Sequence, residues 1–188
     1  MQPVADVAES EPDLAALRAR DPDAWEHIYR SARPQLWRFA RARLATDEQA
    51  DDAVSETIVR AIAAVERYHP TTATLIPWLV GIARNVINEM YRAGSREARG
   101  THAVATEPTE EQPDRLVAAE EAHAVRLAFA QLPADDQELL GLRVIARLDA
   151  ETTATMLGKR PGAVRMAQSR ALGRLRDRLG ERLGRDDR

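Results

Sequence analysis

Apolar residues recur every three or four positions along most of this chain, which is the spacing of one face of an α-helix. In the stretch from residue 51 onward this face is formed by Val54, Ile58, Ala61, Ile62 and Val65. The pattern begins near Pro12 and is interrupted by a turn at residues 21–23. It predicts helices over about residues 24–44, 46–68, 77–92, 114–131, 134–147, 149–157 and 161–183. Pro34 either kinks or splits the first of these helices.

Local signals support several of these boundaries. Thr46 and Gln49 have the spacing of a capping box, in which each side chain bonds the backbone near the other. Asp149 is placed to cap a short helix, and Gly158 follows that helix with the freedom needed for a sharp turn.

Composition agrees with an all-α fold, because only 4% of the 188 residues are aromatic and Ala, Leu, Arg and Glu are abundant. The segment from residue 94 to 113 is polar, acidic and aperiodic, which is typical of a flexible linker. We therefore expect two small helical domains, at residues 11–93 and 114–183. Residues 1–10 form a disordered N-terminus in this scheme, and residues 184–188 form a tail.

The helix containing residues 51–62 also carries apolar residues on its second face. That face has Asp52, Glu56, Val59, Arg60 and Ala63, so a valine and an alanine lie among charges. Either it binds a partner protein, or it is an ordinary solvated surface. On this segment alone the solvated surface is the simpler interpretation, since single exposed apolar residues are common.

The helix starting at Pro77 has a core stripe of Leu79, Ile82, Ala83, Val86 and Met90. Its opposite face combines cations, amides and aromatic rings: Trp78, Arg84, Asn85, Asn88, Tyr91 and Arg92. Such a face suits base stacking and contact with a nucleic-acid backbone. A solvated face with a core tryptophan explains this helix equally well.

The last two helices have the layout of a helix-turn-helix. Val164, Ala171 and Leu175, with Ala167 and Leu172 beside them, predict the inward face of the second helix. The outward side presents Arg160, Arg165, Met166, Ser169, Arg170 and Arg174. Arginines on such a face can recognise guanine edges in a major groove or hold phosphates, which favours DNA binding over a merely basic helical hairpin.

Charge is distributed unevenly along the chain. The net charge is −3, which argues against a nucleic-acid binder that acts alone. Residues 159–188 nevertheless hold ten basic and four acidic residues, a local +6, whereas residues 100–121 hold six acids and one arginine, a local −5. The charges are therefore segregated along the chain, and a function for the protein has to explain this segregation.

The sequence offers little for catalysis or for a membrane. It has no cysteine, its four histidines are scattered, and no Ser/His/Asp set or phosphate-binding glycine loop is present. We therefore expect no metal, no cofactor and no enzymatic activity. No apolar run approaches the ~20 residues that span a bilayer, so a cytoplasmic protein without membrane contact is expected.

Four segments together resemble a protein family. They are ADDAVSETIVRA (50–61), PWLVGIARNVIN (77–88), LPADDQELLGLRV (132–144) and the helix-turn-helix through RALGRLRDRL (170–179). With the opening helix around Trp25, Ile28 and Tyr29, they resemble the extracytoplasmic-function group of bacterial sigma factors, which consist of sigma domains 2 and 4. The resemblance covers about residues 12–183.

This resemblance implies a non-catalytic transcription initiation factor that binds RNA polymerase core, directs it to promoters and assists their opening. The core-binding residues would be Asp52, Glu56, Val59, Arg60 and Ala63, docked on the β′ clamp, with the β subunit as a further partner. Those for the downstream promoter element would be Leu75, Ile76, Trp78, Arg84, Asn85, Asn88, Tyr91 and Arg92. Those for the upstream element would be Arg160, Arg165, Met166, Ser169, Arg170 and Arg174.

The resemblance also implies an anti-sigma factor as an inhibitory partner. The linker acids Glu107, Glu110, Glu111 and Asp114 would imitate nucleic acid inside the polymerase. Two alternatives stay open: a stand-alone helix-turn-helix regulator that binds operator DNA without polymerase, and a helical interaction protein with a solvated basic tail.

The chain departs from the family pattern inside the second domain. Gln168 and Thr153 stand where the family has aliphatic core residues, and Lys159 replaces a common isoleucine in the turn. Either this domain is less stable for that reason or Gln168 bonds inside it, since a buried amide without a partner would destabilise the fold by ~1–3 kcal/mol.

Overall fold

The computed structural model describes residues 13–69, 75–97 and 113–186, and every regular element in these ranges is a helix. The α-helices are α1 Leu14–Arg18, α2 Pro22–Arg41, α3 Asp47–Ala64, α4 Leu75–Glu97, α5 Pro113–Ala130, α6 Ala134–Leu140, α7 Ala150–Leu157 and α8 Pro161–Asp186. The all-α prediction is confirmed. The expected N-terminal segment 1–10 and linker residues 98–112 lie outside the described residues.

α2 starts with two local signals and then continues through a proline. The Asp21 side chain accepts a hydrogen bond from the Ala24 N–H at 2.9 Å, and Pro22 occupies the first turn, where no N–H partner is needed. Pro34 lies inside the helix, which runs on to Arg41. The alternative that Pro34 splits this helix is therefore wrong. Ala32 and Leu36 are buried on either side of the proline, so core packing holds both parts in one helix.

The capping box at the start of α3 is confirmed. The Thr46 hydroxyl accepts from the Gln49 N–H at 3.2 Å. The Gln49 side chain in turn accepts from the backbone N–H of Ala45 at 3.0 Å, one residue before the cap. At its other end α3 tightens into a 3-10 turn, Val65–Arg67.

The first half of the chain is a bundle in which α2, α3 and α4 pack around shared apolar side chains. Fully buried members include Leu36, Phe39, Val54, Val65, Leu79, Val80, Val86 and Ile87. The predicted stripe of α4 is present, but Val80 and Ile87 widen it, so α4 buries more of its circumference than periodicity suggested.

The predicted helix over residues 134–147 is not one α-helix. α6 ends at Leu140, and Gly141–Ile145 form a π-helical turn in which the Ala146 N–H donates to the Gly141 carbonyl at 2.8 Å. A Cβ added to Gly141 would lie 3.0 Å from the Phe39 ring. The turn therefore forms where the chain approaches α2 closely.

α7 and α8 form the predicted helix-turn-helix. Gly158 joins them with a φ of 63°, in the left-handed region that glycine tolerates. Val164 and Ala171 face inward and are fully buried. The expected burial of Leu172 is wrong, since it is 37% exposed. Eight residues beyond Val164 it is rotated by about 80° from the buried line.

The two halves of the chain are packed against each other. The largest cluster of buried side chains contains Phe39 and Leu79 of the first half together with Leu142, Ala146 and Leu148 of the second. The Gln35 side chain donates to the Ala146 carbonyl at 2.5 Å. The second half also has small clusters of its own, such as Leu139, Ala150, Ala154 and Val164.

Candidate functional surfaces

The outer face of α3 carries an exposed valine among charged side chains. Val59 is 60% exposed, whereas Val54 on the inner face is buried. Asp52 and Ala63 are also exposed, and Glu56 and Arg60 are half-buried. The two-faced helix expected from the sequence is therefore present.

Arg60 connects this face to α4. Its guanidinium donates to Glu56 at 2.7 Å and to Glu89 of α4 at 3.0 Å. These bonds raise the pKa of Arg60, and Arg60 lowers the pKa of Glu89. Glu89 was not among the predicted site residues, because its 29-residue separation from Arg60 leaves no signal in local spacing.

Two shallow hollows lie between α3 and α4. One, of about 400 Å³, is lined by Val59, Arg60 and Glu89 with Ser55, Val86 and Met90. The other, of about 470 Å³, extends from Arg60 to Asn85, Asn88 and Arg92. The outer face of α3 and the polar face of α4 thus form one continuous surface.

The polar face of α4 is partly engaged in internal contacts. Arg84 donates to Glu138 of α6 at 2.6 Å. The Asn88 side chain accepts from Arg43, just beyond α2, at 2.8 Å. The guanidinium carbon of Arg43 lies 5.8 Å from the centre of the Tyr91 ring, and burial lowers the pKa of Arg43.

The start of α4 differs from the expectation at one residue. Leu75 is only 3% exposed and belongs to the core, so its side chain is not accessible to DNA in this arrangement. Ile76 and Trp78 are half-buried, and the Trp78 ring lies 4.8 Å from that of Tyr68. Asn85 and Arg92 are exposed, as is Tyr91 at 49%.

The outward face of α8 is open to solvent. Its exposed residues are Arg160 in the preceding turn, Arg165, Met166, Ser169, Arg170 and Arg174. Met166, at 66%, is the most exposed large apolar side chain among the described residues. Asp149 caps α7 by accepting from the Thr152 N–H at 2.6 Å, which lowers the pKa of Asp149.

Two arginines of this face already have internal partners. Arg165 pairs with Glu151 of α7 at 2.5 Å, and both side chains are well exposed. Arg174 makes two bonds to Asp136 of α6, at 2.5 and 2.8 Å, and these raise its pKa. Because the Asp136 side chain is only 10% exposed, this second pair joins α6 to α8.

The two unusual polar residues of the second half have different environments. The Gln168 side chain accepts from Arg143 at 2.8 Å, so its amide oxygen is paired. Thr153 is fully buried, and its hydroxyl has no hydrogen-bond partner among the described residues.

In the described part of the chain, no three His, Asp or Glu side chains are grouped as metal ligands would be. No helix in the same ranges is both long and apolar enough to cross a membrane.

Comparisons with known proteins agree with the geometry. A family model described as Sigma-70 region 2 matches residues 28–97. The chain is 33% identical over 180 residues to the ECF RNA polymerase sigma factor SigD of Mycobacterium tuberculosis, covering 88% of this chain and 82% of that protein. It is also 33% identical over 168 residues to the ECF RNA polymerase sigma factor ShbA of Streptomyces griseus, covering 83% and 87%.

Solved structures show the same fold. The sigma factor RpoE of Bartonella quintana, in a co-crystal structure with the anti-sigma factor NepR, gives a TM-score of 0.65 at 24% identity, covering 82% of this chain and 96% of that one. CnrH, in complex with the cytosolic domain of CnrY, gives 0.66 at 21% identity, covering 89% and 95%. By its sequence relatives, supported by this fold, the chain belongs to the ECF sigma factors of RNA polymerase.

Proposed function

We propose that three surfaces divide the work of transcription initiation. The outer face of α3 binds the polymerase core at its β′ clamp. The polar face of α4 recognises the downstream promoter element and helps to open it. The outward face of α8 recognises the upstream element as duplex DNA. The protein acts in the cytoplasm and catalyses no reaction itself.

One observation carries this assignment. Val59 is 60% exposed between Glu56 and Arg60, and the hollow beside it continues onto α4. An apolar side chain ringed by charges is typical of a protein interface, in which the charges select the partner and the apolar centre supplies affinity. A stand-alone regulator has no use for such a face, and the ECF relatives do not favour that alternative.

We further propose an anti-sigma factor as a second protein partner. The Bartonella quintana neighbour was crystallised with one. An inhibitor that covered Val59 and the neighbouring α4 surface would block polymerase and DNA at the same time. The continuity of these two surfaces across Arg60 and Glu89 supports this proposal.

The double variant Asp52→Ala with Val59→Glu tests the core-binding role. It should abolish co-purification with core polymerase and promoter-directed transcription in vitro, because a charge replaces the apolar centre of the interface. Circular dichroism should show an unchanged fold, since both residues are exposed.

Val125→Glu is the matched control. Val125 lies on α5 and is 44% exposed, so it receives the same substitution away from the proposed interface. It should retain polymerase binding. If the double variant also retains it, the α3 face is not the core-binding site. Specific duplex binding by the unassisted protein would favour the stand-alone regulator.

A further inference from the structure

Glu138 of α6 lies against cations of the first half of the chain. The Arg84 guanidinium donates to it at 2.6 Å, and the side chains are only 27% and 20% exposed. Such a pair is shielded from solvent more than an ordinary surface ion pair. Arg84, which is proposed to contact the downstream element, is therefore already bound to a carboxylate of the second half.

Arg43 is the second cation of this cluster. Burial lowers its pKa, the negative charge of Glu138 opposes that change, and the neighbouring charge of Arg84 adds to it. Its Nε atom is buried and has no hydrogen-bond partner among the described residues. Arg84 thus binds the carboxylate directly, and Arg43, bound to Asn88 one helical turn along α4 from Arg84, keeps an unused donor.

Apolar contacts hold this arrangement closed. Gly141 packs against Phe39 so tightly that a Cβ would lie 3.0 Å from the ring, and the Met156 side chain is 3.8 Å from the position of a Cβ on Gly81. Glu138 precedes Gly141 by less than one helical turn, so the packing of the π-helical turn places the carboxylate opposite the arginines.

A carboxylate and a phosphate bind arginine in the same way, through oxygens that accept charge-assisted hydrogen bonds from the guanidinium. The geometry points to a DNA phosphate site formed by Arg43 and Arg84, which Glu138 occupies while the two halves of the chain are packed together. Asn88 orients Arg43 through its 2.8 Å bond. This inference rests on the proposed function of α4 and adds Arg43 to it.

The closed arrangement affects the two DNA surfaces differently. It places Arg84 in an internal ion pair, whereas the outward face of α8 stays exposed. Opening the two halves therefore becomes a condition for DNA contact at the site of Arg43 and Arg84. A ligand that binds only the open form must offset the energy of opening, which lowers its apparent affinity for the free protein.

Glu138→Gln tests the site in the full-length free protein. The probe is a fluorescein-labelled single-stranded DNA of mixed sequence, because a phosphate contact does not depend on sequence. The variant keeps the shape of the side chain and removes its charge, so DNA should bind about fivefold or more tightly than to the wild type, the usual scale of coupling between two sites.

The control for general charge is Glu26→Gln, which removes one negative charge and one ion pair, with Arg30, on the exposed side of α2. It should leave binding nearly unchanged. If Glu138→Gln binds DNA no better than Glu26→Gln, the inference is overturned.

Second substitutions locate the gain. In the Glu138→Gln background, Arg43→Ala should abolish the tighter binding, whereas Arg170→Ala on α8 should retain it. A gain that survives Arg43→Ala would overturn the site. The chain has no cysteine of its own, so the substitutions His27→Cys and Arg176→Cys, both at exposed positions, allow one label to be attached to each half. The distance between the labels should increase in Glu138→Gln.

A measurement on the holoenzyme does not depend on the Glu138 variant. With the protein bound to core polymerase, Arg43→Ala should lower the slope of log affinity against log salt for the same probe by about 0.7, the value for one lost phosphate contact on a single strand. An unchanged slope would overturn the site. Transcription by the wild-type protein with core polymerase tests the proposed function separately. A failure of the phosphate site can therefore be distinguished from a failure of the proposed function.

Discussion

At the scale of single residues, two polar side chains in the second half of the chain, Gln168 and Thr153, differ in their hydrogen bonding. Gln168 accepts a bond from Arg143. The Thr153 hydroxyl is fully buried and has no partner among the described residues. A buried hydroxyl that has lost its water without gaining a bond destabilises the folded state. Of these two residues, Thr153 is therefore the one expected to weaken the fold.

Thr153→Val should therefore stabilise the protein. The substitution preserves the shape of the side chain and removes the unpaired hydroxyl, so the free energy of unfolding should rise by about 1 kcal/mol. In a protein of this size that corresponds to a Tm increase of about 2–4 °C, measurable by thermal unfolding.

Thr155→Val is the matched control on the same helix. Thr155 is exposed, and its hydroxyl donates to the Glu151 carbonyl at 3.1 Å. This variant should show no gain. An equal Tm increase in both variants would attribute the effect to helix composition and not to the buried hydroxyl.

At the scale of helices, α8 serves both the fold and the proposed DNA contact. Arg174 binds Asp136 of α6 through two bonds, whereas Arg170, one turn earlier, makes no ion pair within the described residues. Equivalent arginines in a sequence pattern therefore have different roles once α6 is packed beside them. If mutation of Arg174 weakens DNA binding, the cause includes a change in the fold, whereas at Arg170 the cause is the loss of the proposed DNA contact itself.

Arg170→Ala and Arg174→Ala should separate these causes. Arg170→Ala should weaken upstream-element recognition by the holoenzyme by ~1–3 kcal/mol with an unchanged Tm. Arg174→Ala should also lower the free energy of unfolding, because it leaves the Asp136 carboxylate without its partner. Filter binding and thermal unfolding of both variants check this. Equal Tm values would contradict the structural role of Arg174.

At the scale of the whole molecule, the negative net charge and the packing of the two halves both oppose DNA binding by the free protein. The chain carries −3, which opposes approach to DNA, and Glu138 pairs with Arg84. The free protein should therefore be a poor DNA binder although α8 is basic and exposed. In the proposed mechanism, assembly with polymerase would change both conditions by supplying positive charge and separating the two halves.

Acid should destabilise the folded molecule through carboxylates whose charge the fold favours. Arg60 lowers the pKa of Glu89, and the Thr152 N–H lowers that of Asp149. A carboxylate whose pKa is lower in the folded state than in the unfolded chain stabilises the fold. This stabilisation is complete above the unfolded-state pKa, about 4.3 for Glu and 3.9 for Asp, and is lost as pH falls through the folded-state pKa. The free energy of unfolding should therefore drop below about pH 4.

Glu89→Gln and Asp149→Asn should each make this pH dependence shallower. Urea unfolding between pH 3 and pH 7 measures the slope. Arg60→Met should change the slope in the same direction, because it removes the pair with Glu89 together with the pair with Glu56. A slope that is unchanged in Glu89→Gln would show that this pair contributes nothing to acid unfolding.

The sequence by itself determined the helices and where most of them begin, because these depend on contacts within a few residues. The ends of the helices were predicted less well, since α4 continues to Glu97 and α6 stops at Leu140. Periodicity, the capping box at Thr46, the cap at Asp149 and the turn at Gly158 are all local, and the structure contains each of them. The exposed faces of α3 and α8 followed from the same periodicity. The family resemblance rested on the same local patterns and therefore also covered most of the chain.

Tertiary structure alone decided what depends on residues far apart in the chain. The pairing of Arg84 with Glu138 spans 54 residues, and the π-helical turn at Gly141 forms where the chain meets Phe39. Packing likewise buried Leu75, exposed Leu172 and left the Thr153 hydroxyl without a partner. Local spacing carries no information about which helix lies opposite, and that neighbour determines whether a charge is free, paired or masked.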